Sequence, residues 1–265
     1  MPSNCQKCDN TGFLGKKVYY SFCDLIGEEY CLCNLGDKAF RRWCQSAEVQ
    51  QSIRLIRKKE VEKALAFSEI PSYWKEKTLA SLEGQENLIL TVNRYLDGFP
   101  KFREQGIGMY LWSAGSGRGK THVLSAVCNE LIQRYLVPCI FMTEEQMYFR
   151  IREAYQNHAI SEKKQYRKFM EAKCLFLDDL GATKITPWKN EVLTGILDYR
   201  LNRRLPTFFT SNFSPEGYEQ NLQSSFVARP GRITSRIYEM CRGFILEVKG
   251  EDFRKKIAFK LQNKI

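Results

Sequence analysis

Eight residues beginning at Ala114, Ala-Gly-Ser-Gly-Arg-Gly-Lys-Thr, combine the residue types that hold a polyphosphate. Glycines at 115, 117 and 119 let successive backbone N–H groups turn inward around an anion. Lys120 brings a point charge to the β and γ oxygens, and the Thr121 hydroxyl is placed to ligate Mg²⁺. Ala114 stands where the pattern has glycine, and it is the smallest residue that can replace it. The nucleotide-binding stretch is therefore read as Ala114, Gly115, Ser116, Gly117, Arg118, Gly119, Lys120, Thr121 and His122. A Gly-rich turn that binds nothing is the plain alternative. A dinucleotide-binding loop fits less well, because its glycines are spaced differently and it gives a Lys-Thr pair no role.

A second constellation fits the first. The apolar run Cys174-Leu175-Phe176-Leu177 is too short for a helix and ends in Asp178-Asp179-Leu180-Gly181. Two adjacent carboxylates at the end of a buried strand are costly unless a cation or a water needs them. Beside a phosphate loop, Asp178 would support Mg²⁺ and Asp179 would polarise the attacking water; a strand end turning into solvent is the bland reading. A third run, Thr207-Phe208-Phe209-Thr210, ends in Ser211-Asn212. The Asn212 amide could orient the same water or a γ-phosphate, although Ser-Asn is also ordinary turn chemistry. Arg232 and Arg236 lie four apart on one helical face, where two guanidinium groups can complete a neighbouring subunit's nucleotide site. Surface ion pairing is the outcome that spacing alone favours.

Cysteines form the third constellation. Cys5, Cys8, Cys23, Cys31, Cys33 and Cys44 crowd the start of the chain. Cys5-Gln-Lys-Cys8 and Cys31-Leu-Cys33 are two knuckles, and four thiolates in tetrahedral array suit Zn²⁺. The second pair is tighter than the usual two-residue spacing, so Cys23 or Cys44 could substitute, and free structural thiols are the alternative. So small a segment cannot bury a core of its own, and the metal would fold it. Cys128, Cys139, Cys174 and Cys241 lie in apolar stretches and read as small core residues.

These groups need elements to hold them. Alternation of short apolar runs with amphipathic stretches predicts strand 109–114, helix 120–136, strand 138–143, helices 144–157 and 161–173, strand 174–178, helix 188–204, strand 206–211, a short helix, a basic helix 232–242 and strand 244–249. Strands alternating with helices of this length mean a parallel sheet covered on both faces. Before them, residues 47–68 are charged and free of Gly and Pro, a helical linker whose Arg54, Arg57, Lys58 and Lys59 either touch a phosphate backbone or form a solvated face. Ile70-Pro71 marks a boundary, and Leu88 to Phe102 reads as one helix. The predicted organisation is a cysteine-rich module at 1–46, a helical linker at 47–69 and an ATPase domain at 70–265. No internal repeat or low-complexity tract is present.

The chain has 265 residues, with 41 Lys and Arg against 30 Asp and Glu, a net charge of +11 that favours a polyanionic partner. Aromatic residues interleaved with basic ones, at Tyr148-Phe149-Arg150 and Tyr166-Arg167-Lys168-Phe169, predict single-stranded nucleic acid, with core packing the competing fate of several rings. No apolar run approaches membrane-spanning length and the polar N-terminus has no signal-peptide core. A cytoplasmic protein is expected.

The loop AGSGRGKT, the strands LFLDDLG and TFFTSN and the helix GRITSRI, in that order, resemble the AAA+ ATPases of the bacterial helicase-loader group, the DnaC/DnaI type, with the IstB transposition ATPases as relatives. The entry segment Ile70-Pro71-Ser72-Tyr73-Trp74 is also similar, and the resemblance covers about residues 70 to 250. It implies a P-loop NTPase sheet flanked by helices. It assigns ATP and Mg²⁺ to Lys120 and Thr121, metal support to Asp178, catalysis to Asp179 and γ-phosphate sensing to Asn212. It makes Arg236 a finger acting on a neighbour, with Arg232 as a second candidate. It implies an N-terminal cysteine-rich module gripping a replicative helicase, with Cys5, Cys8, Cys31 and Cys33 as its counterpart. Residues 251–265 leave no room for a separate helical lid; Arg254 could act as a second sensor, a C-terminal cap helix being the plainer reading. The function expected is ATP-dependent loading of a hexameric replicative helicase onto single-stranded DNA by a self-associating ATPase. Its alternatives are a target-selection ATPase for a transposase and an ATP-gated adaptor with little turnover.

Overall fold

A computed structural model describes residues 5–9, 11–156, 162–225 and 230–253. The chain divides into two compact units, Met1–Lys63 and Ala64–Ile265.

In the first unit β1 (Phe13–Tyr20) and β2 (Leu25–Tyr30) form an antiparallel hairpin, followed by α1 (Asn34–Cys44) and the start of α2 (Ala47–Phe67). The sequence reading contained no strands here. Their sides are packed by rings rather than aliphatic residues: Tyr20 lies 4.9 Å from Trp43, and Tyr30 lies 5.3 Å from Phe40, centroid to centroid. Such pairs compensate in part for a core too small to stand on area alone.

The second unit continues through α3 (Ser72–Lys75), α4 (Glu86–Asp97), α5 (Phe99–Glu104), β3 (Met109–Trp112), α6 (Lys120–Tyr135), β4 (Cys139–Thr143), α7 (Glu144–Gln156), α8 (Glu162–Glu171), β5 (Cys174–Leu180), α9 (Pro187–Asn202), β6 (Thr207–Ser211), α10 (Pro215–Ser224), α11 (Gly231–Met240) and β7 (Ile245–Glu247). Five strands pair in parallel in the order β4-β5-β6-β3-β7. Both sheet faces are covered, so the central strands read as unbroken apolar runs: Cys174 to Leu177, and Phe208 with Phe209, are fully buried. Cys128, Cys139, Cys174 and Cys241 are fully buried as well.

Local signals set the boundaries. Thr143 and Gln146 form a reciprocal cap at the start of α7, each side chain accepting the other's backbone N–H, at 3.1 and 3.0 Å. Thr186 and Ser214 cap α9 and α10, each with proline at the first helical position. The single helix expected over 88–102 is instead two, α4 and α5, meeting at Gly98. Pro100 supplies no N–H to carry a continuous helix across the junction, so the chain restarts. Strand 174–178 continues to Leu180, and strand 244–249 shortens to the three residues of β7. The expected C-terminal helix, the absence of a lid and Arg254 concern residues outside those described.

Candidate nucleotide site and cysteine cluster

The loop after β3 starts from a buried serine. Ser113 Oγ donates to the Gly115 carbonyl at 2.8 Å, and Gly115 N–H donates to the Ser113 carbonyl at 2.8 Å, which bends the chain out of the strand. Gly117 and Gly119 have φ of 77° and 92°, a region that side chains other than glycine reach only with strain. At Gly117 space is closed as well: a Cβ there would lie 1.9 Å from Asp252 Oδ1, and Phe253 N–H donates to the Gly117 carbonyl at 3.0 Å. Lys120 opens α6 and is itself buried. Its Nζ donates to Ser113 Oγ, the Gly115 carbonyl and Asn212 Oδ1, all at 2.8 Å. Thr121 Oγ1 donates to Asp178 Oδ1 at 3.0 Å.

Sheet order explains why these residues meet. β6 lies between β5 and β3, so the ends of three strands distant in sequence deliver Ser113, Asp178 and Asn212 to one edge, the place where parallel α/β sheets bind ligands. The resulting cavity, about 660 Å³, is lined by Ser116 to His122, Asp179 and Asn212, and on its far wall by Tyr73, Trp74, Lys77 and Ser81. Ala114 and Gly115 are exposed beside it. His122 Nε2 sits 2.8 Å from Ser81 Oγ and 3.0 Å from the Thr78 carbonyl. A carbonyl can only accept, so Nε2 carries the proton, and burial lowers the imidazole pKa despite that bond. This ring therefore ties α6 to the cavity wall.

The two aspartates differ. Asp178 is buried, and burial raises its pKa to about 6, against the pull of the Thr210 hydrogen bond and with a push from neighbouring Asp179. Asp179 is exposed and has φ of 56°, a left-handed conformation that costs a non-glycine residue about 1–2 kcal/mol. Behind it, Glu144 is fully enclosed: it accepts the Gly181 N–H at 2.8 Å and the Tyr148 hydroxyl at 2.7 Å, and burial raises its pKa.

Arg232 and Arg236 do not reach this cavity. Both ion-pair with Asp198 on α9, Arg232 Nη2 at 2.6 Å from Oδ2 and Arg236 Nε with Oδ1. Of the aromatic residues interleaved with basic ones, Tyr148 and Phe169 are buried, Tyr166 is half-buried and donates to the Val192 carbonyl, and Phe149 is exposed.

In the first unit, Cys5, Cys8, Cys31 and Cys33 converge, with all four Sγ atoms within 4.8 Å of one another. The Cys5–Cys31 and Cys8–Cys33 Sγ separations are 3.7 Å. Ligands 2.3 Å from a tetrahedral centre lie about 3.8 Å apart, so these two separations match the spacing of ligands on one Zn²⁺ and the other four exceed it by at most about an ångström. Gly36 makes the turn possible, because a Cβ there would lie 1.8 Å from the Cys31 carbonyl oxygen. Cys23 and Cys44 stand outside the cluster; Cys23 Sγ donates to the Tyr20 carbonyl instead.

Sequence reading missed Ser113, Thr210, Glu144 and the 73–81 wall. Ser113 and Thr210 each carried a signal, a polar residue inside an apolar strand end beside a motif. Glu144 carried none, because only the fold brings it near, and of the wall only Tyr73 and Trp74 stood in a segment the sequence singled out, with no role at the site assigned to them.

A family model described as IstB-like ATP binding protein matches residues 106–260. The replicative helicase loader DnaI of Bacillus subtilis is 35% identical over 122 residues, 45% of this chain and 38% of that protein. The replicative helicase loader DnaC of Escherichia coli is 24% identical over 134 residues, 51% of this chain and 53% of that one. The matched stretches thus span about half, or less, of these relatives' lengths. Among solved structures, a crystal structure of DnaI is similar with a TM-score of 0.56 at 28% identity, over 69% of this chain and 94% of that one. A crystal structure of the DnaC helicase loader shares the fold, with a TM-score of 0.56 at 23% identity over 68% and 100%.

Proposed function

Because the chain belongs to the IstB-like ATP binding proteins, we propose that it is an ATP-hydrolysing helicase loader, which places a hexameric replicative helicase onto single-stranded DNA in the cytoplasm. The observation that carries the ATPase part is the convergence of Lys120, Asn212, Thr121 and the Asp178-Asp179 pair on one cavity edge. Lys120 and the glycine N–H groups bind the β and γ phosphates. Thr121 and Asp178 are hard oxygen donors fit for Mg²⁺, and a cation there would relieve the burial that raises Asp178. Bound Mg²⁺ supplies charge neutralisation on the transferring phosphoryl group. Asp179 takes the proton of the attacking water, and Asn212, which holds Lys120 here, turns to the γ-phosphate. Arg236, with Arg232 beside it, leaves Asp198 to act on a neighbouring copy's ATP.

The loading part rests on likeness to the DnaI and DnaC loaders and on the net charge of +11, which favours DNA. Residues 1–46 form a zinc module on Cys5, Cys8, Cys31 and Cys33 that docks on the helicase, 47–69 a helical linker, and 70–265 the ATPase domain. The test is co-purification with the host's replicative helicase, with and without ATP, beside phosphate release. Retention of the helicase together with turnover supports a loader. Turnover without helicase binding, but with binding to a transposase and duplex DNA, favours a target-selection ATPase, and helicase binding without turnover favours an adaptor.

A further inference from the structure

Two adjacent residues of a regular strand point to opposite faces of the sheet, which would turn Asp178 and Asp179 away from each other. β5 solves this with a bulge. Its pairing with β6 passes from Leu177↔Phe209 to Leu180↔Ser211, three steps on β5 against two on β6. The surplus residue leaves Asp178 turned inward and Asp179 left-handed at the cavity.

Opposite the bulge is Thr210, fully buried within the TFFTSN strand but given no role in the reading of that strand. Its Oγ1 donates to Asp178 Oδ1 at 2.5 Å and accepts the Asp179 backbone N–H at 2.8 Å. Neither role is interchangeable: an ionised carboxylate can only accept and an amide N–H can only donate, so one hydroxyl proton and one lone pair are committed in fixed directions. The N–H that a regular ladder would give to a β6 carbonyl goes to this side chain instead. On the other flank Ser211 Oγ donates to the Leu180 carbonyl at 2.8 Å, closing the bulge.

We propose that Thr210 is a positioning residue for the phosphoryl-transfer site, its hydroxyl setting the orientation of Asp178 and the backbone turn that presents Asp179. The proposal rests on the ATPase reading above. Asp178 Oδ1 also accepts from Thr121 Oγ1 at 3.0 Å, but the Asp179 backbone N–H donates to Thr210, so Thr210 is the side chain that holds both aspartates at once.

The experiment compares Thr210→Val, which keeps shape and removes the hydroxyl, with Thr210→Ser, which keeps the hydroxyl, in the full-length chain. Nucleotide affinity without Mg²⁺, the Mg²⁺ concentration for half-maximal turnover, and kcat and KM are measured, with Thr210→Ala as the smaller variant should valine unfold the protein. Removal of a group that orients a metal ligand costs about 10–100-fold in metal affinity or activity. The hydroxyl-less variants are expected to lose kcat and to need more Mg²⁺ by that order, with Mg²⁺-free nucleotide affinity within about threefold of wild type, and Thr210→Ser is expected to restore both. Wild-type kcat and Mg²⁺ demand in Thr210→Val overturn the proposal, as does equal loss in Thr210→Ser, which would make shape the cause. Phosphate release by the wild-type chain separates the two levels: if it hydrolyses no ATP, the ATPase reading itself fails, whereas Asp179→Asn hydrolysing at the wild-type rate removes only Asp179 from its role. A crystal structure of the hydroxyl-less variant then tests the position of Asp179 without turnover; Asp179 unmoved at φ near its present value overturns the proposal on its own.

Discussion

At Asp178 a carboxylate is kept where water would otherwise solvate it. Burial raises its pKa from 3.8 to about 6, so the unfolded chain loses this proton at lower pH than the folded one. The fold is therefore favoured below pH 3.8, loses that advantage as pH rises toward 6, and above it carries a penalty of about 3 kcal/mol at about 1.4 kcal/mol per pKa unit. Asp178→Asn is expected to stabilise the nucleotide-free protein by about 1–3 kcal/mol at pH 7.5, with the gain shrinking toward pH 4, while Mg²⁺-dependent turnover is lost. Urea unfolding at both pH values checks this; a gain independent of pH would remove ionisation as its cause. Lys120→Ala is expected to weaken nucleotide binding by about 10–100-fold, the size of a lost charge-assisted hydrogen bond. Asp179→Asn is expected to bind normally and lose about 100-fold or more in turnover, as a general base would. Fluorescent-nucleotide titration beside phosphate release separates the two.

At the scale of elements, the joint between α8, α9 and β6 depends on one side chain. Arg200 is fully buried on α9 and has a burial-lowered pKa of about 9, so it remains charged at neutral pH. Its guanidinium donates to the carbonyls of Phe169, Met170 and Ala172 at the end of α8, to the Pro206 carbonyl and to Thr207 Oγ1. Carbonyls at a helix C-terminus carry the negative end of its dipole, and a planar fork of donors serves several at once. Arg200→Leu is expected to destabilise the second unit by about 3–5 kcal/mol, because the carbonyls stay buried without donors. Arg200→Lys should recover only part, since one ammonium cannot span the same acceptors. Chemical denaturation decides between them; a loss below about 1 kcal/mol in Arg200→Leu would show that water replaces the guanidinium.

For the whole molecule, the proposed function makes the nucleotide site one that two chains share, a property that one chain cannot carry. Arg236→Ala is expected to keep nucleotide binding and lose hydrolysis, and mixing it with Asp179→Asn should restore part of the activity, because some interfaces then contain both intact halves. A dead mixture of co-assembling variants would return Arg236 to its present role as a partner of Asp198. The first unit has its own test. Native mass spectrometry is expected to find one zinc per chain, lost in Cys5→Ser along with the unit's cooperative melting; a metal-free, folded wild-type unit would leave four structural thiols.

Contiguous chemistry was legible in the chain itself. AGSGRGKT between an apolar strand and a helix, the Asp pair ending a buried run, the two cysteine knuckles and the alternation of strands and helices are local patterns, and local backbone physics reads them the same way in any context. Gly98 and Pro100 were also local, yet the helical periodicity of 88–102 ran across them and hid the break. What only tertiary structure decided was adjacency. Strand order placed β6 between β5 and β3, which brought Asn212 onto Lys120 and Thr210 onto the Asp pair. The same packing set Glu144 against Gly181, paired Arg232 and Arg236 with Asp198, and left Cys23 and Cys44 out of the thiol cluster. Sequence spacing fixes which residues share a strand or a turn. Which strands lie side by side follows from how the whole chain buries its apolar faces, a sum over distant residues that no single stretch records.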